Sequence, residues 1–150
     1  MREILFRGKR MDSGQWVEAA SILSANDGLV KEVYLSAKSG AVLHVDADGN
    51  PVAVSAAPHA LFYRVDPDTL GQFTGLTDKN GRKVFEGDIL KEEDIVVGGG
   101  IQIQGDVWSV GMRKGCWVVK SAVEWDFLST NAGKCAVIGN IHDTPELLNQ

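Results

Sequence analysis

The chain has 150 residues, 44% of them hydrophobic, and a formal net charge of −5. That balance suits a globular acidic protein able to bury a core of its own; it excludes a disordered polyelectrolyte and disfavours a protein that coats nucleic acid through a uniformly basic surface. Charge is unevenly spread, however: residues 1–10 carry Arg2, Arg7, Lys9 and Arg10 against Glu3, a local +3 that leaves −8 for the other 140 residues.

In chain order, Ile4 and Phe6 alternate with Glu3, Leu5 and Arg7, a period of two that predicts an early strand. Asp12-Ser13-Gly14 turns it toward Trp16-Val17 in a first hairpin. Residues 19–23 read equally as strand or helix, and Asn26-Asp27-Gly28 marks a further turn. Ala41–Val45 and Pro51–Val54 flank an Asp- and Gly-rich turn, with Pro51 at a strand start where its missing N–H does little harm. The N-terminal half thus reads as a β-meander. Asp66-Pro67-Asp68 is a break, and it divides the chain into residues 1–65 and 66–150, either two closely packed pieces or one domain.

The strongest local signal is Asp78-Lys79-Asn80-Gly81, where Asp can bond the backbone two residues on and Asn and Gly accept positive φ. Phe73 and Leu76 precede it, and Val84, Phe85 and Ile89 follow, so both arms of this central hairpin carry apolar groups to bury. Lys91-Glu92-Glu93-Asp94 reads as a charged turn and Gly98-Gly99-Gly100 as a loop tip before the alternating strand Ile101–Gln104. Val107–Met112 and Cys116–Lys120 read as a pair of strands around Arg113-Lys114-Gly115. A short helix is expected over Val123–Ser129, a closing strand over Ala136–Ile141, and a terminal helix at Thr144-Pro145-Glu146, where a cap, a proline and an acid fall in order. The expected fold is mainly β with few short helices: an N-terminal β-meander, then a small SH3-like barrel or sandwich, because a sheet of short strands must close or cover its edges.

Chemistry-bearing residues are sparse. Cys116 and Cys135 lack a CxxC pair and read as two buried thiols. Asp46, Asp48 and Asn50 imitate the start of a calcium loop, but Pro51 stands where the loop glycine belongs and Ala57 where the bidentate Glu belongs, so a plain turn is the reading. His44, His59 and His142 are dispersed. Glu86 and Asp88 are spaced to share a strand face as an acid/base pair, yet no nucleophile or metal partner accompanies them, and a turn explains both. Gly98–Gly100 lacks the Lys-Ser or Lys-Thr of a phosphate loop. No catalytic, cofactor or metal site is therefore assigned. Arg7, Lys9, Arg10 and Trp16, with Lys79 and Arg82 at the hairpin tip, form the one candidate interaction surface, either a solvated charged face or a stacking surface for nucleic acid. Only three consecutive apolar residues, Ile4-Leu5-Phe6, lie near the N-terminus, and no run approaches the roughly 20 of a membrane helix, so a cytoplasmic protein away from membranes is expected.

Three stretches together resemble the YopX family of bacteriophage and prophage proteins. They are Arg2–Arg10 through Gly14-Gln15-Trp16-Val17, Gly71–Gly81 through Glu86-Gly87-Asp88-Ile89, and Val137–Asp143 through Pro145-Glu146-Leu147-Leu148. Residues 19–65 and 92–106 match least. The resemblance implies a phage accessory protein in the bacterial cytoplasm, β-rich and prone to self-assembly, with a host or phage macromolecule as partner. It carries no established reaction and no catalytic residues. The two functions to weigh are a non-enzymatic oligomeric interaction module and a nucleic-acid-binding small barrel.

Overall fold

The computed structural model describes residues 3–20, 22–26, 31–36, 43–45, 51–53 and 62–149. The chain is mainly β and folds as two compact units, Glu3–Gln72 and Phe73–Gln150.

In the first unit, β1 (Phe6–Lys9) and β2 (Trp16–Ala19) form the expected hairpin, with Lys9 opposite Trp16. Leu5, just before β1, is buried, whereas Ile4 is 57% exposed. Next, β3 (Ile22–Asn26) pairs with β4 (Lys31–Ser36), so Ile22 and Leu23, read equally as strand or helix, are strand, as is Ala19 at the end of β2. The third hairpin is β5 (Leu43–Val45) with β6 (Pro51–Ala53), and Pro51 does open its strand. Its connecting residues, including Asp46, Asp48 and Asn50, lie outside the described residues, as do His59 and most of the turn after Asn26. Strand β7 (Phe62–Val65) adds to β4. The Asp66-Pro67 break becomes a 3-10 turn over Pro67–Thr69, capped where Asp66 Oδ1 accepts the Asp68 N–H at 3.0 Å. Ala19, Val33, Leu35 and Val65 make this unit's core, with Phe6, Val17 and Leu70 packed on it. Gly8 packs closely on that core, since a Cβ there would sit 3.0 Å from Val65, which would have to give way.

The chain enters the second unit within β8 (Gly71–Thr77), whose first two residues pair with β1. From Phe73 onward it pairs with β9 (Lys83–Phe85) as the central hairpin. Gly81 in its turn has φ +80°, the left-handed region that glycine occupies without strain. The register shifts between Phe73 and Thr77, and Thr74 Oγ1 donates to the Val84 carbonyl at 2.8 Å across the irregularity. Strands β10 (Asp88–Glu92), β11 (Ile95–Val97), β12 (Ile101–Ile103), β13 (Val107–Arg113), β14 (Cys116–Lys120), β15 (Trp125–Phe127) and β16 (Cys135–Asn140) follow. They form an antiparallel sheet in the order β15-β14-β13-β10-β16 and a separate two-stranded β11-β12 hairpin. Val84, Leu90, Trp108, Val110, Val119, Leu128, Ala132, Cys135 and Val137 fill the core.

Three expectations are corrected here. The five-stranded sheet keeps two edges, β15 and β16, instead of closing as a barrel; its inner face is covered by Val84 of β9 and by Leu128 and Ala132, so closure is not required to bury it. The helix expected over Val123–Ser129 begins only at Leu128, as α1 (Leu128–Asn131), because Trp125-Asp126-Phe127 pairs in register with Lys120-Val119-Val118. Aromatic residues on a free sheet edge favour the strand. Lys91 and Glu92 continue β10 and are not part of a turn. The terminal helix is present as a 3-10 segment, Pro145–Asn149.

Candidate interaction surfaces

Within the first unit, Arg7, Lys9 and Trp16 are brought together. Opposed register places Trp16 beside Lys9, and the Arg7 guanidinium and Lys9 ammonium lie 4.9 and 5.8 Å from its ring centroid. Arg7 is nevertheless buried, at 9% exposure. Arg10 turns away to stack 4.1 Å from the Tyr63 ring and to pair with Asp12 at 2.6 Å. That bond holds the Asp12 carboxyl below its usual range. The Lys9 backbone is tied down too: its N–H donates to Thr69 Oγ1 at 2.9 Å and its carbonyl accepts from Asp66 at 2.8 Å. These cations are thus committed to cation–π and ion-pair partners in their own unit.

Lys79 and Arg82 belong to the second unit, at the tip of the central hairpin. The turn is held by Asp78, whose Oδ1 accepts the N–H groups of Asn80 and Arg82 at 2.8 and 2.9 Å, while Oδ2 accepts that of Val137 at 2.9 Å. Lys79 donates its own N–H to the Cys135 carbonyl at 3.0 Å, and its ammonium pairs with Glu93. A shallow recess of about 330 Å³ lies alongside, lined by Lys79, Lys91, Glu92, Glu93 and Asp94. Its lysines are matched by carboxylates, Lys91 meeting Asp94 at 3.3 Å, so it offers little net charge to a ligand.

The Glu86-Gly87-Asp88 segment is likewise a joint. Asp88, 1% exposed, accepts the Phe85 N–H at 2.8 Å, and Gly87 links Val110 to Ile141 through its N–H and carbonyl, each bond 2.9 Å. Asn140 Oδ1 in turn accepts the N–H groups of His142 and Asp143 at 2.9 and 3.0 Å. Asp78, Asp88 and Asn140 therefore use side-chain oxygens to accept backbone N–H groups at turns of the second unit, and Asp78 thereby fastens β16 to the central hairpin. No cluster of three or more His, Cys, Asp or Glu that could hold a metal occurs among the described residues. Of the two thiols, Cys135 is buried and desolvation pushes it up to about 11, but Cys116 is exposed, contrary to expectation, at the start of β14 beside the turn, opposite Arg113.

A further surface was not singled out from the residues: the β11-β12 hairpin, which pairs with no other strand among those described. Ile95 faces Ile103 and Val97 faces Ile101, so four β-branched side chains share one side. They are 59, 51, 38 and 63% exposed respectively, and Val96 on the other side is 69% exposed. Not one charge occurs between Ile95 and Gly105. The base, by contrast, is locked: Asp94 Oδ1 accepts the Gly105 N–H at 2.9 Å and Oδ2 accepts from Gln102 Nε2 at 3.1 Å. A run of apolar residues on both sides of three glycines, beyond what the core uses, was the signal available in the sequence.

The model of the family described as YopX protein matches residues 5–149. Among solved structures, the crystal structure of protein EF1440 from Enterococcus faecalis is similar, with a TM-score of 0.52 and 19% identity across 97% of this chain and 97% of that one, a likeness of fold. No curated protein sequence matches.

Proposed function

Because the chain belongs to the YopX family, we propose that it is a non-enzymatic, self-assembling interaction module, a phage or prophage accessory protein that acts on a host or phage macromolecule in the bacterial cytoplasm. The observation that carries this reading is the exposed apolar β11-β12 arm. A lone two-stranded hairpin is marginal in water, and an uncovered β-branched face with open strand edges is a template for pairing. A second copy is the occupant best suited to it: two chains of net charge −5 repel over most of their surfaces, whereas this arm carries no charge to repel. Of the Glu86 and Asp88 pair spaced for acid/base work, Asp88 is engaged with the Phe85 N–H.

Light scattering coupled to size exclusion tests the proposal. The expected result is a defined oligomer of the 16.2 kDa chain, shifted to monomer in the Ile101→Asp, Ile103→Asp double variant with an unchanged circular dichroism spectrum. A wild-type chain that stays monomeric up to high micromolar concentration would overturn it.

A further inference from the structure

The five-stranded sheet has an outer face as well as the one that covers the core; Ile89 and Val118 are buried on it, and its β15 edge is exposed. Asp126 is paired with the core residue Val119, so its neighbours Trp125 and Phe127, opposite Lys120 and Val118, must point to the other side. They are 43 and 47% exposed, and their rings meet edge to face at 5.7 Å. Because β15 is an edge strand, a flat ligand can reach both rings without meeting a neighbouring strand.

Cations gather at the same place. The Arg113 guanidinium lies 4.4 Å from the Trp125 centroid. Lys120 lies along the sheet over Gly111, where a Cβ would come within 3.1 and 3.2 Å of its Cε and Nζ, so the missing side chain at 111 is what makes room for it. Residues 112–125 contain Arg113, Lys114 and Lys120 against one acid, Glu124, in a chain whose net charge is −5. The nearby Asp126 carboxylate is on the core side, bonded by Asn131 Nδ2 at 2.9 Å. An exposed aromatic pair bordered by cations within an acidic protein is complementary to a ligand carrying both flat rings and negative charge.

We propose that this outer face binds single-stranded nucleic acid, with bases stacked on Trp125 and Phe127 and phosphates held by Arg113 and Lys120. Stacking accepts any unpaired base, and it requires far less of the broad cationic field that duplex binding depends on and this chain lacks. The inference rests on the interaction-module reading and names its partner.

The test is fluorescence anisotropy of labelled oligo-dT, twelve nucleotides long, titrated with the full chain at low salt, beside the same sequence as a dA·dT duplex. Two double variants are compared, Trp125→Ala with Phe127→Ala and Arg113→Gln with Lys120→Gln, each checked for native circular dichroism. The expected result is preference for the single strand and a loss of tenfold or more in either variant. Two phosphate contacts give a slope of log K against log salt of about −1.4. That slope should fall toward zero in the cation variant and persist in the aromatic one. No binding by the full chain, equal affinity for the duplex, or unchanged affinity in both variants would overturn the proposal. So would tighter binding of an acidic aromatic peptide at the same site, which would assign the face to a protein partner. Light scattering on the same samples keeps the readings separate: an oligomer that ignores the oligonucleotide defeats this proposal alone.

Discussion

Asp78 shows how much one side chain can do in this fold. Burial raises its carboxyl, but the backbone N–H groups of Val137, Arg82 and Asn80 together outweigh that and leave it below the ordinary value near 3.8. A carboxyl held low in the folded state contributes stability that is complete above its unfolded pKa and disappears as pH falls through the folded one. Asp78→Asn should therefore cost about 1–3 kcal/mol at neutral pH, because an amide turns donors toward donors. The same variant should flatten the acid limb of the stability profile below pH about 4, which urea denaturation across a pH series would measure. The Asp-x-Asn-Gly turn itself was legible, since its chemistry is local. The bond from Asp78 to Val137 was not, since it joins residues 59 apart.

Among the elements, the hairpins were the most readable. Turn residues at 12–14, at 78–81 and at 113–115 announced reversals that local bonding is sufficient to make. Residues 123–127 failed as a helix because strand pairing with β14 outweighed local pattern. The β11-β12 arm depends on its base, where the Gly105 position has no room: an added Cβ would lie 2.2 Å from the Glu92 carbonyl oxygen. Gly105→Ala should accordingly displace the arm at a cost of about 1–3 kcal/mol. Hydrogen exchange should show faster exchange over residues 95–103 with little change in β13 and β14, and light scattering should show weaker assembly. Unchanged protection of the arm would separate it from its base and refute this account.

At the scale of the whole chain, the described residues form two cores, one in each compact unit. Leu35 and Leu128 are each fully buried, in the first and the second. Truncating either to Ala should cost about 2–5 kcal/mol. Exchange mass spectrometry should find the loss of protection concentrated in residues 3–72 for Leu35→Ala and in residues 73–149 for Leu128→Ala. Uniform loss across the chain in both variants would mean that the units open together.

From the sequence alone came the β class, the hairpins β1-β2, β5-β6, β8-β9 and β13-β14 with their turns, and the family, because each depends on residues near one another or on their order. Tertiary structure alone decided that the five-stranded sheet stays open, that Asp88 and Asn140 meet across β10 and β16, and that Arg7 is buried against Trp16. It also decided that Trp125 and Phe127 face outward beside Arg113 and Lys120. The physical reason is register: a one-residue slip in strand pairing exchanges the inner and outer faces, and composition does not record which face a partner strand will cover.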